Sequence, residues 1–288
     1  MGKVAGSGCK TPGPEGNMAS LPDIERSIIT KYRKQLRSKF IKAIKEFNLI
    51  EDGDRIAVAV SGGKDSTLMA KLFQELHCHG KNNFELEFIV MDPGYHDNIR
   101  QLLIDNCRQL NIPINIFESN IFNIVDHIAP DYPCYMCAKM RRGALYSKAQ
   151  ELGCNKLALG HHFNDVIETT LLNMFYAGCV KTMLPKLKSA NFPGLELIRP
   201  LYYVEEKYIE NFTRENGIWP LNCACMVAAE KTANKRYEIK ELIQDLKKKF
   251  KNVDRLIMSS TQNINMDCVL GWQKDGRRHS YLEFYDED

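Results

Sequence analysis

Apolar positions follow two rhythms along this chain. From Ile24 to Phe47 they fall at Ile28, Tyr32, Leu36, Phe40, Ile44 and Phe47, with Lys31, Lys34, Arg37, Lys42 and Lys45 on the other side. That spacing predicts an amphipathic helix across 24–47. Beyond Arg55 the pattern changes to short, β-branched apolar runs: IAVAV (56–60), LEFIVM (86–91), IPINIF (112–117) and KLALG (156–160). Amphipathic stretches between and after them predict helices over 66–76, 98–110, 139–152 and 165–175. Gly153 and Gly178 stand where the last two should stop.

Strands alternating with helices in this way indicate an α/β fold, a doubly wound parallel sheet with helices on both faces. Residues 184–199, which contain Pro185 and Pro193, read as extended, and two more helices are expected over 205–215 and 228–250. Residues 1–17 hold five Gly and two Pro with no apolar period, so disorder is expected there. The predicted organisation is a disordered N-terminus (1–20), a nucleotide-binding catalytic domain with its N-terminal basic helix (21–250), and a helical C-terminal extension (251–288).

Composition narrows the function classes only a little. Hydrophobic residues make up 44% and charged residues 26% of the 288, an ordinary globular mixture. No apolar run approaches the ~20 residues of a membrane span, and no leader is evident, so a cytoplasmic location and no membrane contact are expected. Net charge is +3, but residues 24–47 carry eight Lys or Arg against two Glu. That stripe, and KKKFK at 247–251, is either a solvated face or a surface for RNA.

The chemistry gathers at the strand ends. Ser61, Gly62, Gly63, Lys64, Asp65 and Ser66 follow the first predicted strand. Glycines admit phosphate close to the backbone, and the N–H groups of a helix start form an anion site. A carboxylate beside phosphates calls for a metal ion between them, which assigns Asp65 to Mg²⁺ or to catalysis. The spacing matches neither G-x-x-x-x-G-K-[ST] nor G-x-G-x-x-G. Gly160, His161, His162 and Asp165 follow the fourth strand and therefore belong on the same rim, as does Asp92 after the second.

Ten cysteines are many for a reducing compartment. Cys78, Cys107, Cys154, Cys179 and Cys268 read as packed hydrophobes. Cys134 with Cys137, and Cys223 with Cys225, do not. A zinc Cys₄ site, a dithiol redox pair and iron–sulfur ligands all remain open for them.

SGGKDS after a strand resembles the phosphate loop of the PP-loop ATP pyrophosphatases, which have the adenine nucleotide α-hydrolase type of fold. LGHHFNDVIETT resembles their second motif in tRNA-modifying members. With CYMCAKMRRGALY, TMLPKL and IRPL in the same order, residues 24 to about 265 resemble the tRNA 2-thiocytidine synthetase family. The resemblance implies ATP-dependent adenylation of an anticodon-loop cytidine at its C2 oxygen, followed by replacement with sulfur.

It implies ATP at Ser61, Gly62, Gly63, Lys64, Asp65, Ser66, Gly160, His161 and Asp165, with Lys64, Asp65 and Asp165 catalytic and Mg²⁺ present; Asp92, by its strand-end position, is expected near the nucleotide's sugar or base. His161 and His162 would orient the adenine or neutralise phosphates. By their place one turn past the CxxC pair, Arg141 and Arg142 either hold RNA phosphate or the adenylate or line a solvated helix face. The resemblance also implies a [4Fe–4S] cluster on three cysteines: Cys134, Cys137 and one from downstream, Cys225 in preference to Cys223. The family usually has P-C-x-x-C there, whereas this chain has N-C-A-C; coordination by both would remove the open iron. Expected partners are tRNA and a sulfur donor such as a cysteine desulfurase, with a homodimer admitted. The alternatives are a sister enzyme that forms 2-thiouridine, or a non-enzymatic nucleotide- or RNA-binding protein with structural zinc.

Overall fold

The computed structural model describes residues 18–80, 82–119, 133–221 and 226–285. The expected disorder of residues 1–17 lies outside them. The first helical stretch is not one helix, as its spacing had predicted, but α1 (Leu21–Ile29), a π turn (Arg33–Arg37) and α2 (Ser38–Glu46). The cause is visible in the sequence. A strict four-residue spacing overruns the 3.6-residue turn by about 40° at each step, so the stripe at 24, 28, 32, 36, 40 and 44 would wind off the core. A wider π turn in the middle brings it back. Ile24, Ile28, Leu36 and Phe40 are all fully buried.

The stripe covers a six-stranded sheet of β1 (Arg55–Ala59), β2 (Glu85–Asp92), β3 (Ile114–Glu118), β4 (Lys156–Ala158), β5 (Lys186–Lys188) and β6 (Glu196–Ile198). The spatial order is β3-β2-β1-β4-β6-β5. All neighbours are parallel except β5, which closes the edge antiparallel to β6. The extended reading of 184–199 resolves into that final pair.

Side chains alternate across the sheet as a buried strand requires. Ile56 and Val58 enter the larger core with Phe40, Leu72 and Phe212; Ala57 enters a smaller one with Tyr146, Ala149 and Leu157. Helices α3 (Lys64–His79) and α6 (Phe163–Ala177) lie on the larger side, and α5 (Pro133–Glu151) covers the smaller. The helix α4 (Asp97–Gln109) connects β2 to β3.

The chain continues through α7 (Glu206–Glu215), α8 (Met226–Lys249) and α9 (Val253–Ser260). The C-terminal extension then forms a hairpin, β7 (Gly271–Lys274) and β8 (Arg277–Ser280). Its turn, Asp275-Gly276, has both residues at positive φ, 51° and 77°. Asp-Gly is the pair such a two-residue turn selects, so this hairpin was legible in the sequence and was missed.

Three expectations about single cysteines need correction. Cys107 and Cys154 are buried, but Cys78, Cys179 and Cys268 are exposed. An apolar neighbourhood in sequence did not secure a core position, because Cys78 lies in the last turn of α3 and Cys179 just beyond the end of α6.

Candidate active site

Parallel pairing of Val58 with Ala158 puts the turns after β1 and β4 side by side at the carboxyl rim. The first is the glycine turn. Gly62 has φ +77°, a conformation that costs a side chain strain. Its carbonyl accepts from the Leu221 N–H at 2.9 Å. The Ser66 hydroxyl donates to the Gly63 carbonyl at 3.0 Å and lies 3.0 Å from the Ser61 hydroxyl. The turn is therefore braced internally, and α3 starts from it with Lys64.

The second turn is built around a cap. His162 Nδ1 accepts from the Asp165 N–H at 3.3 Å, and Asp165 accepts from the His162 N–H at 2.9 Å, a reciprocal capping box for α6. The other ring nitrogen, Nε2, faces Asp65 Oδ1 at 3.7 Å. Lys64 Nζ lies 3.3 Å from Asp65 and 3.1 Å from Glu206. Lys64, Asp65, His162 and Asp165 thus form one continuous cluster, bridged by Glu206.

Charges in it are strongly perturbed. Burial pushes Asp65 above its ordinary value, against the pull of His162 and Lys64. Burial acts to lower Lys64, but Asp65 and Glu206 outweigh it and hold the ammonium. For Asp165 the burial effect is overcome by His162 and Arg236, which leave the carboxylate below its usual value. Glu206 is likewise held down to about 2, against burial, by Lys240, Lys64 and His162. Burial lowers His161 to about 4, against Asp165 and with the help of Arg199, Arg236 and Arg142.

Sequence reasoning missed Glu206, Glu168, Arg199, Arg236 and Lys240. Arg236 on α8 donates to Glu168 at 2.8 Å and also binds Asp165. Lys240, one turn on, reaches Glu206 at 2.8 Å. Asn164 accepts from the Glu206 N–H at 3.0 Å and so fixes the start of α7 against that of α6.

Other expected residues sit apart from this cluster. Asp92 is on the rim at the end of β2, but its carboxylate accepts from the Gly94 and Tyr95 amides and pairs with Arg100 at 3.2 Å. None of those bonds reaches Asp65. In the basic stripe, Lys31 pairs with Glu215, Arg37 with Glu75 and Lys42 with Glu46, so three of its charges serve contacts within the chain. Cys223 and Cys225 lie outside the described residues, as do the side chains of Cys134 and Cys137, which stand in the first two turns of α5. A cavity of about 770 Å³ opens between α1, α3 and β2, lined by Pro22, Ile28, Lys71 and Leu86 among others, and contains none of the expected nucleotide or cluster residues.

Comparison with known proteins places this rim in context. The PP-loop domain family matches residues 32–220. A tRNA-cytidine(32) 2-sulfurtransferase of Bdellovibrio bacteriovorus is 37% identical over 251 residues, 86% of this chain and 93% of that protein. Its namesake from Pelobacter propionicus is 34% identical over 270 residues, 93% of this chain and 99% of the relative. Among solved structures, the U34-tRNA thiolase NcsA from Methanococcus maripaludis with its [4Fe-4S] cluster superposes with a TM-score of 0.62 at 22% identity, covering 81% of this chain and 80% of that one. That last likeness is one of fold.

Proposed function

The chain belongs to the tRNA-cytidine 2-sulfurtransferase family of PP-loop proteins, and from that premise we propose how its rim cluster serves the reaction. The protein is an ATP-dependent tRNA sulfurtransferase that adenylates the C2 oxygen of an anticodon-loop cytidine and replaces it with sulfur. Among the described residues no helix is long and apolar enough to cross a membrane.

The C2 oxygen of cytosine is a poor leaving group, and adenylation corrects that. The oxygen attacks the α phosphorus of ATP and pyrophosphate departs. A sulfur nucleophile then adds to C2, and AMP leaves with the former C2 oxygen. The base must be unstacked to present this edge.

In this reading the N–H groups at the start of α3 and the Lys64 ammonium hold the polyphosphate and stabilise the charge that develops on it. Asp65 and Glu206 keep Lys64 charged and aimed. Asp65 and Asp165 suit Mg²⁺: Asp65 Oδ1 is buried with no hydrogen-bond partner. Magnesium typically takes one or two carboxylates and completes its shell with phosphate oxygens and water. Bound there, magnesium would neutralise the triphosphate.

Cys134 and Cys137, with Cys225 or Cys223, are the soft thiolate donors that iron–sulfur clusters take. The first pair opens α5, which descends from the carboxyl rim, and Leu221, bonded to Gly62, leads into the second. A [4Fe–4S] cluster on them would supply the sulfur for C2. The sulfur comes from a donor such as a cysteine desulfurase.

The observation that carries this reading is the convergence of Lys64 and Asp65 with His162 and Asp165 from two adjacent strand ends. Conversion of ATP to AMP and pyrophosphate, stimulated by tRNA lacking the modification, tests it. Asp65→Asn abolishes that conversion in this account; conversion at the wild-type rate by Asp65→Asn would remove the cluster from the mechanism.

A further inference from the structure

At the end of β6 lies a buried arginine with no carboxylate to answer it. The Ile198 carbonyl accepts from the Leu159 N–H at 3.0 Å, which sets Arg199 beside the Gly160–His161 turn. Arg199 is 5% exposed. Its Nη1 donates to the Leu184 carbonyl, but the buried Nε has no partner. A guanidinium left in that state is costly to fold. The cost is visible in its acidity: burial, aided by the nearby Arg142, lowers Arg199 to about 10.

Two further groups stand near it. His161 Nδ1 is buried without a hydrogen-bond partner, and at neutral pH its imidazole is uncharged. Arg142, on α5, is exposed and acts electrostatically on both Arg199 and His161. Among the described residues neither arginine has an ion pair. The nearby carboxylate, Asp165, is engaged by Arg236.

We propose that Arg199, Arg142 and His161 form a phosphate subsite on the α5 side of the rim. Two guanidinium groups and an imidazole from three elements match a tetrahedral oxyanion, and a planar guanidinium binds two of its oxygens at once. The subsite rests on the sulfurtransferase reading for its two sources of phosphate: the nucleotide, or a backbone phosphate of the tRNA.

The test is equilibrium binding of Mg²⁺-ATP and, separately, of tRNA over a range of salt, to the full chain carrying Arg199→Gln, Arg199→Lys or Arg142→Gln. Arg199→Gln and Arg142→Gln weaken the same ligand about tenfold or more, and Arg199→Lys recovers part of the loss. Weakened ATP with unchanged tRNA assigns the nucleotide. Weakened tRNA, with a salt slope reduced by about one, assigns the RNA backbone.

Binding of both ligands within twofold of wild type by the folded variants overturns the subsite. Arg142 is exposed, so Arg142→Gln decides the matter if Arg199→Gln does not fold. Binding is read without turnover. A wild type that forms no 2-thiocytidine while the variants lose affinity refutes the sulfurtransferase reading and leaves the subsite standing.

Discussion

Gly160 lies against the first turn of α3 so closely that a Cβ on it would stand 3.2 Å from the Ser66 nitrogen and 3.3 Å from the Asp65 carbonyl carbon. Those neighbours are backbone and cannot rotate away. The two motifs of the rim therefore touch through their main chains, and the distance between them depends on a missing side chain.

Gly160→Ala forces the turns apart by a few tenths of an ångström and raises the KM for ATP about tenfold, since near-attack geometry tolerates little displacement. Gly160→Val removes activity. Gly143, in α5, has nothing within 4 Å of its would-be Cβ. Gly143→Ala leaves the KM unchanged and stabilises the fold by up to ~1 kcal/mol. Steady-state kinetics and urea unfolding of the three variants check this.

Arg236 ties α8 to Glu168 and Asp165, and Glu168 is itself 5% exposed. Removing Arg236 leaves that carboxylate buried without its charged donor. Arg236→Gln is expected to destabilise by about 1–3 kcal/mol. The double variant with Glu168→Gln should lose less than the sum of the two single losses. Chemical denaturation of the four proteins measures the coupling.

Glu206 gives a pH dependence whose sign follows from its depressed acidity. The folded carboxyl titrates near 2, against an ordinary value of 4.5. Its stabilisation is full above pH 4.5 and is lost as pH falls from 4.5 towards 2. Glu206→Gln is therefore less stable than wild type at pH 7, by no more than about 3 kcal/mol, and the gap narrows as pH falls below 4.5. A gap that does not change between pH 7 and pH 3 would sink the assignment.

Thiol labelling separates the cysteines. Cys78, Cys179 and Cys268 are exposed and should react with iodoacetamide in the native state. Cys107 and Cys154 are buried, and burial raises both thiols to about 11, so they should react only on unfolding. In the iron-loaded protein Cys134 and Cys137 should be protected, and become reactive once a chelator removes the iron. Equal labelling of Cys134 and Cys137 before and after chelation contradicts their role as ligands.

What the sequence revealed and what it hid divide along physical lines. Strands, their helices and the shared rim of Asp65 and Asp165 were legible because alternation and glycine turns are local, and parallel topology forces both motifs to one edge. The π turn was legible too, in the unbroken four-residue spacing from Ile24 to Ile44, but only if the overrun of each turn is counted. Asp92 reached the rim as expected, yet Asp-Pro-Gly after a strand is a turn sequence, and the carboxylate is spent on the amides that follow. Arg236 and Lys240 were hidden. They are charges on one face of an amphipathic helix, indistinguishable in sequence from a solvated stripe, and Arg236 meets Asp165 across 71 residues of chain.

The most direct test of the account is mass spectrometry of tRNA nucleosides from cells that lack this gene, carry it, or carry Asp65→Asn in its place. The account predicts that 2-thiocytidine is absent without the gene, returns with the wild-type chain and stays absent with Asp65→Asn, while thiolated uridines do not change. Loss of a thiouridine with 2-thiocytidine intact, or full restoration by Asp65→Asn, would contradict it.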